Sequence, residues 1–177
     1  LTMLFGALVN TSIERLAYRR LRNAPKLAPL ITAVGMSFVL QWIGLKWIGS
    51  NPVNVNTVLP STSFELAGVV INFKTLIIFA ITIPLLIVLA FIVNKTKRGR
   101  AMRATAQDKD ASRLMGIDVN KTITFTFAIA GAAAGAAGIM WAQTTGTVAY
   151  NLGFQLGLIA FTSAVLGGVG NLYGAVL

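Results

Sequence analysis

Residues 75–93 read TLIIFAITIPLLIVLAFIV, an apolar run without a charged side chain. A helix rises about 1.5 Å per residue, so roughly 20 apolar residues cross a hydrocarbon core of about 30 Å. The run therefore predicts a membrane-spanning helix. Pro84 lies inside it and removes one backbone hydrogen bond, which predicts a kink. Working outward, residues 28–48 and 122–141 qualify as further spans. Pro29 stands near the start of the first, where a missing N–H costs little. The second is rich in Ala and Gly. The apolar stretch 154–177 is interrupted by Gly167-Gly168-Val169-Gly170-Asn171. It predicts either one glycine-weakened helix or a helix broken at 167–171, an arrangement transporters use where irregular backbone lines a cavity. Leu1–Val9 is too short to cross and reads as the tail of a truncated spanning helix, so the chain is expected to be a piece of a longer polypeptide.

Composition agrees with a membrane protein. Of 177 residues, 55% are hydrophobic and only 11% are charged, and mean hydropathy is +0.74. Soluble domains carry roughly 25% charge. With no Cys and no His, disulfides, thiol nucleophiles, zinc sites and His-based triads are excluded. No catalytic site, cofactor or metal is expected. The chain lacks G-x-x-x-x-G-K-[ST], so it has no P-loop of its own.

The net charge of +10 is concentrated. Arg15, Arg19, Arg20, Arg22 and Lys26 precede the first span, and Lys95, Lys97, Arg98, Arg100, Arg103, Lys109, Arg113 and Lys121 follow the second. Two spans separate the clusters, which puts loops 14–26 and 95–121 on one side of the membrane. The positive-inside rule makes that side cytoplasmic and the 49–74 loop external. Trp42, Trp47 and Trp141 then fall toward the outer interface. Charge that topology explains does not call for nucleic acid as a partner. Thr11 and Glu14 have capping-box spacing, and the residues after them suit a basic amphipathic helix resting on membrane lipid. Phe64–Phe73, rich in Val, Ile and Phe around Gly68, reads as a short hairpin.

Residues 100–115 hold neither Pro nor Gly and predict one helix of about four turns, stopped by Gly116. Ala101, Ala104, Ala111 and Met115, with Thr105 and Asp108 between them, mark a small-residue face flanked by charge, suited to docking a cytoplasmic partner. Gly131, Gly135 and Gly138, and again Gly170 and Gly174, have the small-residue spacing that lets helices pack closely in lipid. The interiors of the three spans lack ionisable residues apart from Lys46 near an end, which disfavours proton relays and ion-coupled carriers. Among the few polar residues of the apolar stretches, Gln155, Thr162 and Ser163 lie nearest the glycine-rich break and are candidates to line a pathway.

The stretch Gly99-Arg100-Ala101-Met102-Arg103-Ala104, with Ala111 and Leu114-Met115-Gly116-Ile117, resembles the cytoplasmic loop of permeases of branched-chain amino-acid ABC importers, the LivH type. The likeness extends through Phe127-Ala128, Ala130–Gly135, Gly153, Leu166–Asn171 and Gly174-Ala175, and upstream through Glu14–Arg19 and Ile31–Gly35. Arg20 stands where that family often has Pro, and the general importer signature is reduced here to Ala106-Gln107-Asp108 and Gly116. The resemblance implies an all-α, polytopic transmembrane bundle of the ABC importer permease kind in a bacterial inner membrane. It implies ABC ATPase subunits, a homologous second permease and a periplasmic or extracellular substrate-binding protein as partners. It assigns Gly99, Arg103, Ala104, Asp108, Ala111 and Gly116 to the segment that couples to the ATPase. The same architecture could serve urea, amides or another small neutral solute. A reading of another class is an ATP-independent channel or carrier.

Overall fold

The computed structural model describes residues 1–21, 28–56, 63–66, 69–168 and 174. It contains α1 (Thr2–Leu16), a 3-10 turn (Tyr18–Leu21), α2 (Ala28–Ile48), β1 (Val53–Asn54), β2 (Ser63–Leu66) and β3 (Val69–Asn72). These are followed by α3 (Phe73–Lys95), α4 (Lys97–Gln107), α5 (Lys109–Leu114), α6 (Val119–Thr145), β4 (Thr147–Val148) and α7 (Leu152–Leu166). The chain divides into two compact units, Leu1–Ala24 with Thr57–Thr144, and Pro25–Asn56 with Thr145–Leu177.

Among the described residues, three helices are long and apolar enough to cross a membrane: Ile31–Ile48 within α2, Phe73–Lys95 and Val119–Thr145. The distribution of side chains is that of a lipid-solvated protein. Buried apolar residues among those described are the modest Val119, Ala136 and Ala142, whereas Phe79, Ile87 and Phe91 of α3 are exposed. In lipid, apolar side chains gain little by turning inward, and association rests on close backbone packing and interhelical hydrogen bonds.

The first unit shows this packing along a seam between α1 and α6. A Cβ on Gly6 would collide with the Gly131 carbonyl, and one on Gly131 with the Gly6 carbonyl. One turn further, a Cβ on Gly135 would come within 2.5 Å of the Thr2 carbonyl oxygen. In the other direction the Asn10 amide donates to the Phe127 carbonyl at 2.8 Å, and the Thr124 hydroxyl donates to the Glu14 carboxylate at 2.9 Å. The Tyr18 and Phe127 rings continue the contact, with centroids 5.2 Å apart. Thr2, Gly6, Asn10 and Glu14 thus form an every-fourth-residue stripe running antiparallel to α6.

This seam corrects the reading of the N-terminal segment. Thr11 does not start a new helix, because α1 runs unbroken from Thr2 to Leu16 and the Ser12 hydroxyl bonds back to the Leu8 carbonyl at 2.8 Å. Glu14 is fully buried rather than part of a capping box. Of the polar residues after Val9, Asn10 and Glu14 bond to α6. Arg22 and Lys26 of the same basic cluster lie outside the described residues.

Elsewhere in this unit, α3 continues as one helix through Pro84, and Thr82 reaches Met140 Sδ at 3.7 Å. The hairpin read at 64–73 is present: β2 and β3 pair antiparallel, Ser63 opposite Asn72 and Leu66 opposite Val69.

In the second unit, α2 and α7 meet through Phe38 and Phe154, whose ring centroids are 5.5 Å apart. β1 pairs antiparallel with β4, Val53 opposite Val148, and the Val55 N–H donates to the Gly146 carbonyl at 2.8 Å. Gly49 and Gly146 have φ of 92° and 71°, which non-glycine residues rarely adopt. α7 stops at Leu166, capped by Gly167, with Gly168 at φ 90°. The remainder of the expected break, 169–171, lies outside the described residues.

Replacing Gly6 or Gly131 by Leu overpacks the seam and is expected to cost about 1–3 kcal/mol or more. The measurement is the thermal midpoint of the full-length protein in detergent. Gly138→Leu, at a site where a Cβ meets nothing within 4 Å, is expected to leave that midpoint unchanged or slightly raised.

Candidate functional site

The segment from Lys95 to Ile117 is built from two helices. α3 ends at Lys95, and α4 turns back against its last turn. Thr96 makes the turn: its hydroxyl accepts from the Gly99 N–H at 3.0 Å and donates to the Ile92 carbonyl at 2.5 Å. A Cβ on Gly99 would strike the carbonyls of both Ile92 and Val93, so only glycine lets α4 approach this closely. The Arg103 guanidinium then donates to the Val93 carbonyl. Gly99 and Arg103 therefore brace α4 to the end of a spanning helix.

The single four-turn helix expected over 100–115 is broken. Asp108 is extended, at φ −149° and ψ 116°, and it both ends α4 and caps α5. Its carboxylate accepts from the N–H groups of Asp110 at 2.8 Å and Ala111 at 3.0 Å. An Asp side chain competes for nearby backbone donors in this way, which favours a cap over a helix interior. The interruption divides the small-residue face: Ala104 is half-buried and Ala111 is exposed, while Thr105 and Ser112 point inward.

Gly116 ends α5 with φ 80°. The Gly116 N–H donates to the Arg113 carbonyl and the Ile117 N–H to the Ser112 carbonyl, each at 3.0 Å. This is a Schellman termination, which needs a left-handed residue at Gly116. At the tip, Leu114 and Met115 are 89% and 83% exposed. Sequence reading placed Met115 on a small-residue face and gave Leu114 no role of its own, yet together they form an apolar end on a polar helix.

α6 opens just beyond. The Asp118 carboxylate accepts from the Lys121 N–H at 3.0 Å and pairs with its ammonium at 3.2 Å. The Lys121 backbone N–H, followed by its side chain, holds the Asp118 carboxyl below its usual range.

Among the glycines singled out for packing, Gly131 and Gly135 lie in the seam and Gly138 faces open space. Gly174 lies in a turn, and Gly170 is outside the described residues. Gln155, Thr162 and Ser163 are exposed on α7, with the Thr162 hydroxyl bonded to the Ile159 carbonyl at 2.8 Å. None of the three lines the cleft of about 630 Å³ that α2 and α7 form in the second unit. Ala33 and Ser37 line it from α2, and Phe154, Gly157 and Phe161 from α7. Their three- and four-residue spacing was the available signal.

The profile of the family described as branched-chain amino acid transport system / permease component matches residues 1–177. The chain belongs to this family. The chain is 38% identical over 170 residues to the high-affinity branched-chain amino acid transport system permease protein BraD of Pseudomonas aeruginosa, covering 94% of this chain and 55% of that protein. It is 36% identical over 174 residues to the corresponding permease protein LivH of Escherichia coli, with the same shares covered. A more distant relative is the autoinducer 2 import system permease protein LsrC of an Enterobacter species, 32% identical over 145 residues, 78% of this chain and 40% of that protein. The chain thus spans about half the length of the nearer relatives named here. No solved structure matches it significantly. Family membership and the three apolar helices make this permease-family chain a membrane protein with an all-helical spanning architecture.

The joint at Asp108 gives a measurable expectation. Asp108→Ala removes a cap worth about 1 kcal/mol, so amides 109–115 should exchange hydrogen about fivefold faster. Asp108→Asn keeps an acceptor and should stay within about twofold of the wild type.

Proposed function

We propose that the full-length protein forms part of the solute pathway of an ATP-driven importer in a bacterial cytoplasmic membrane. Its solutes are branched-chain or related amino acids, and ATP is hydrolysed on separate subunits. The observation that carries this reading is the Lys95–Ile117 segment. α4 is braced to a spanning helix through Gly99 and Arg103, and α5 presents the exposed pair Leu114 and Met115. A partner gripping α5 could pass a displacement along α4 into α3. The names of the relatives support the choice of solute, and the apolar α2–α7 cleft suits a neutral solute with an apolar side chain.

In this reading the ATPase subunits dock at α4–α5 on the cytoplasmic side, with Ala111, Leu114 and Met115 at the contact. A homologous second permease completes the pathway, and an external binding protein delivers the solute. The basic loops 14–26 and 95–121 face the cytoplasm, and the 49–74 loop faces outward. The likeness to an autoinducer 2 import permease favours, as a second reading, the same architecture serving another small neutral solute. Uptake competition among candidate solutes separates the two.

The docking role predicts that Leu114→Asp with Met115→Asp lowers solute-stimulated ATP hydrolysis of the reconstituted complex about tenfold or more, as loss of a central apolar anchor does. Normal stimulation in that variant would remove the docking assignment. Uptake that persists after the ATPase is inactivated would instead establish a channel or carrier. For orientation, a cysteine replacing Lys109 should be labelled only from the cytoplasm and one replacing Asn54 only from outside. The reverse pattern would overturn the topology.

A further inference from the structure

Four basic residues from different elements of the first unit line a single cavity. Arg15 comes from the last turn of α1, Arg19 from the 3-10 turn, Arg98 from the first turn of α4 and Lys121 from the first turn of α6. The cavity measures about 460 Å³. Asn120, Thr122 and Thr124 contribute polar groups to its lining, while Phe125 and Ala128 form an apolar wall that continues along α6. Arg98 lies over the Phe125 ring, 4.6 Å from its centroid. Like charges gathered around one space repel unless an anion occupies it. Among the described residues, Asp118 is the carboxylate that pairs with any of the four, holding the 88% exposed Lys121 side chain at 3.2 Å, so the three arginines charge the cavity. The Glu14 carboxylate is buried in the seam, where Thr124 donates to it. The cavity therefore keeps an excess of positive charge.

Its position identifies the anion. The cavity lies where the apolar helix α6 begins and where α1 ends, the level at which phospholipid headgroups stand beside a spanning protein. A soluble phosphate would use the cations but not the apolar wall that Phe125 and Ala128 present. A phospholipid uses both, with its phosphodiester among the guanidinium groups and its acyl chains against the exposed apolar surface of the neighbouring helices. Basic pockets between spanning helices hold anionic headgroups in this manner.

We infer that the cavity lined by Arg15, Arg19, Arg98 and Lys121 is a binding site for an anionic phospholipid headgroup, joining the ends of α1, α4 and α6. The inference depends neither on the solute nor on which side of the membrane faces the cytoplasm.

The test uses the full-length permease, assembled with its partner subunits, in nanodiscs of equal phosphatidylglycerol and phosphatidylcholine. Native mass spectrometry counts the lipids retained after release into mild detergent. The wild type should retain phosphatidylglycerol in preference to phosphatidylcholine. Arg15→Gln with Arg98→Gln should lower that preference about thirtyfold, the size expected for two lost hydrogen bonds to the headgroup at about 1 kcal/mol each. Lys97→Gln with Arg100→Gln removes the same charge from outside the cavity and should leave the preference within about threefold. If the first pair prevents assembly, Arg19→Gln replaces it, with an expected loss of about fivefold, the size of one lost headgroup hydrogen bond at about 1 kcal/mol. Three outcomes would overturn the inference. The cavity variant could keep its phosphatidylglycerol, both pairs could lower it equally, or excess inorganic phosphate could displace the lipid from the wild type, which would assign the site to a soluble anion.

Discussion

The absence of two side chains, at Gly6 and Gly131, is the constraint on which the first unit depends. A bilayer offers helices no hydrophobic reason to associate, and the contact between α1 and α6 is made instead by backbone lying against backbone. Once the axes are this close, Asn10 reaches a carbonyl of α6 and Glu14 reaches the Thr124 hydroxyl. A carboxylate that would be costly in an apolar setting is thereby given a partner. The same approach brings the basic end of α1 beside the start of α6, so Arg15 and Arg19 share a cavity with Lys121. Widening the seam by a methyl group would disturb the packing, the buried carboxylate and the basic cavity together.

The Lys95–Ile117 segment obeys a different economy. It lies outside the spanning helices and is held by directed hydrogen bonds at each change of direction: Thr96 at the first, Asp108 at the second and Gly116 at the third. Between these points the helices are short, and α5 has only six residues. Isolated helices of such length are marginal in water, so their order depends on the caps and on α4 being fixed to α3. This combination of a braced helix and a short capped one sets the segment apart from a flexible connection.

Much of this was legible in the sequence. The three long helices declare themselves through length and unbroken apolarity, and Gly116 through its place after a helix-forming run. Other features stayed hidden for physical reasons. α1 is apolar only in its first half, and the polar half makes sense only when α6 is present to accept Asn10 and Glu14. Asp108 stands in a run without Pro or Gly, and its effect comes from a local capping bond rather than from a helix-breaking residue. Gly131 and Gly135 were recognisable as packing positions, but which surface they meet is not written in their spacing, and Gly138 shows that spacing alone does not guarantee a neighbour. The α2–α7 cleft does not show in the polar residues of the sequence, because its lining is largely aromatic and small.

The pairing of β1 with β4 bears on how the chain comes to be assembled. Val53 and Val148 are partners, yet they are separated by most of the sequence between the first and last described helices. Ribosomes deliver the N-terminal part first, so β1 must wait until α3, α4, α5 and α6 have been made. Closing so long a loop is entropically unfavourable, and a ladder of two residues a side offsets little of that cost. The ribbon is therefore a late event in biogenesis, completed only after α6 has been made. Until then the segment after α2 offers an unpaired strand edge, open to chaperones or to mispairing with another nascent chain.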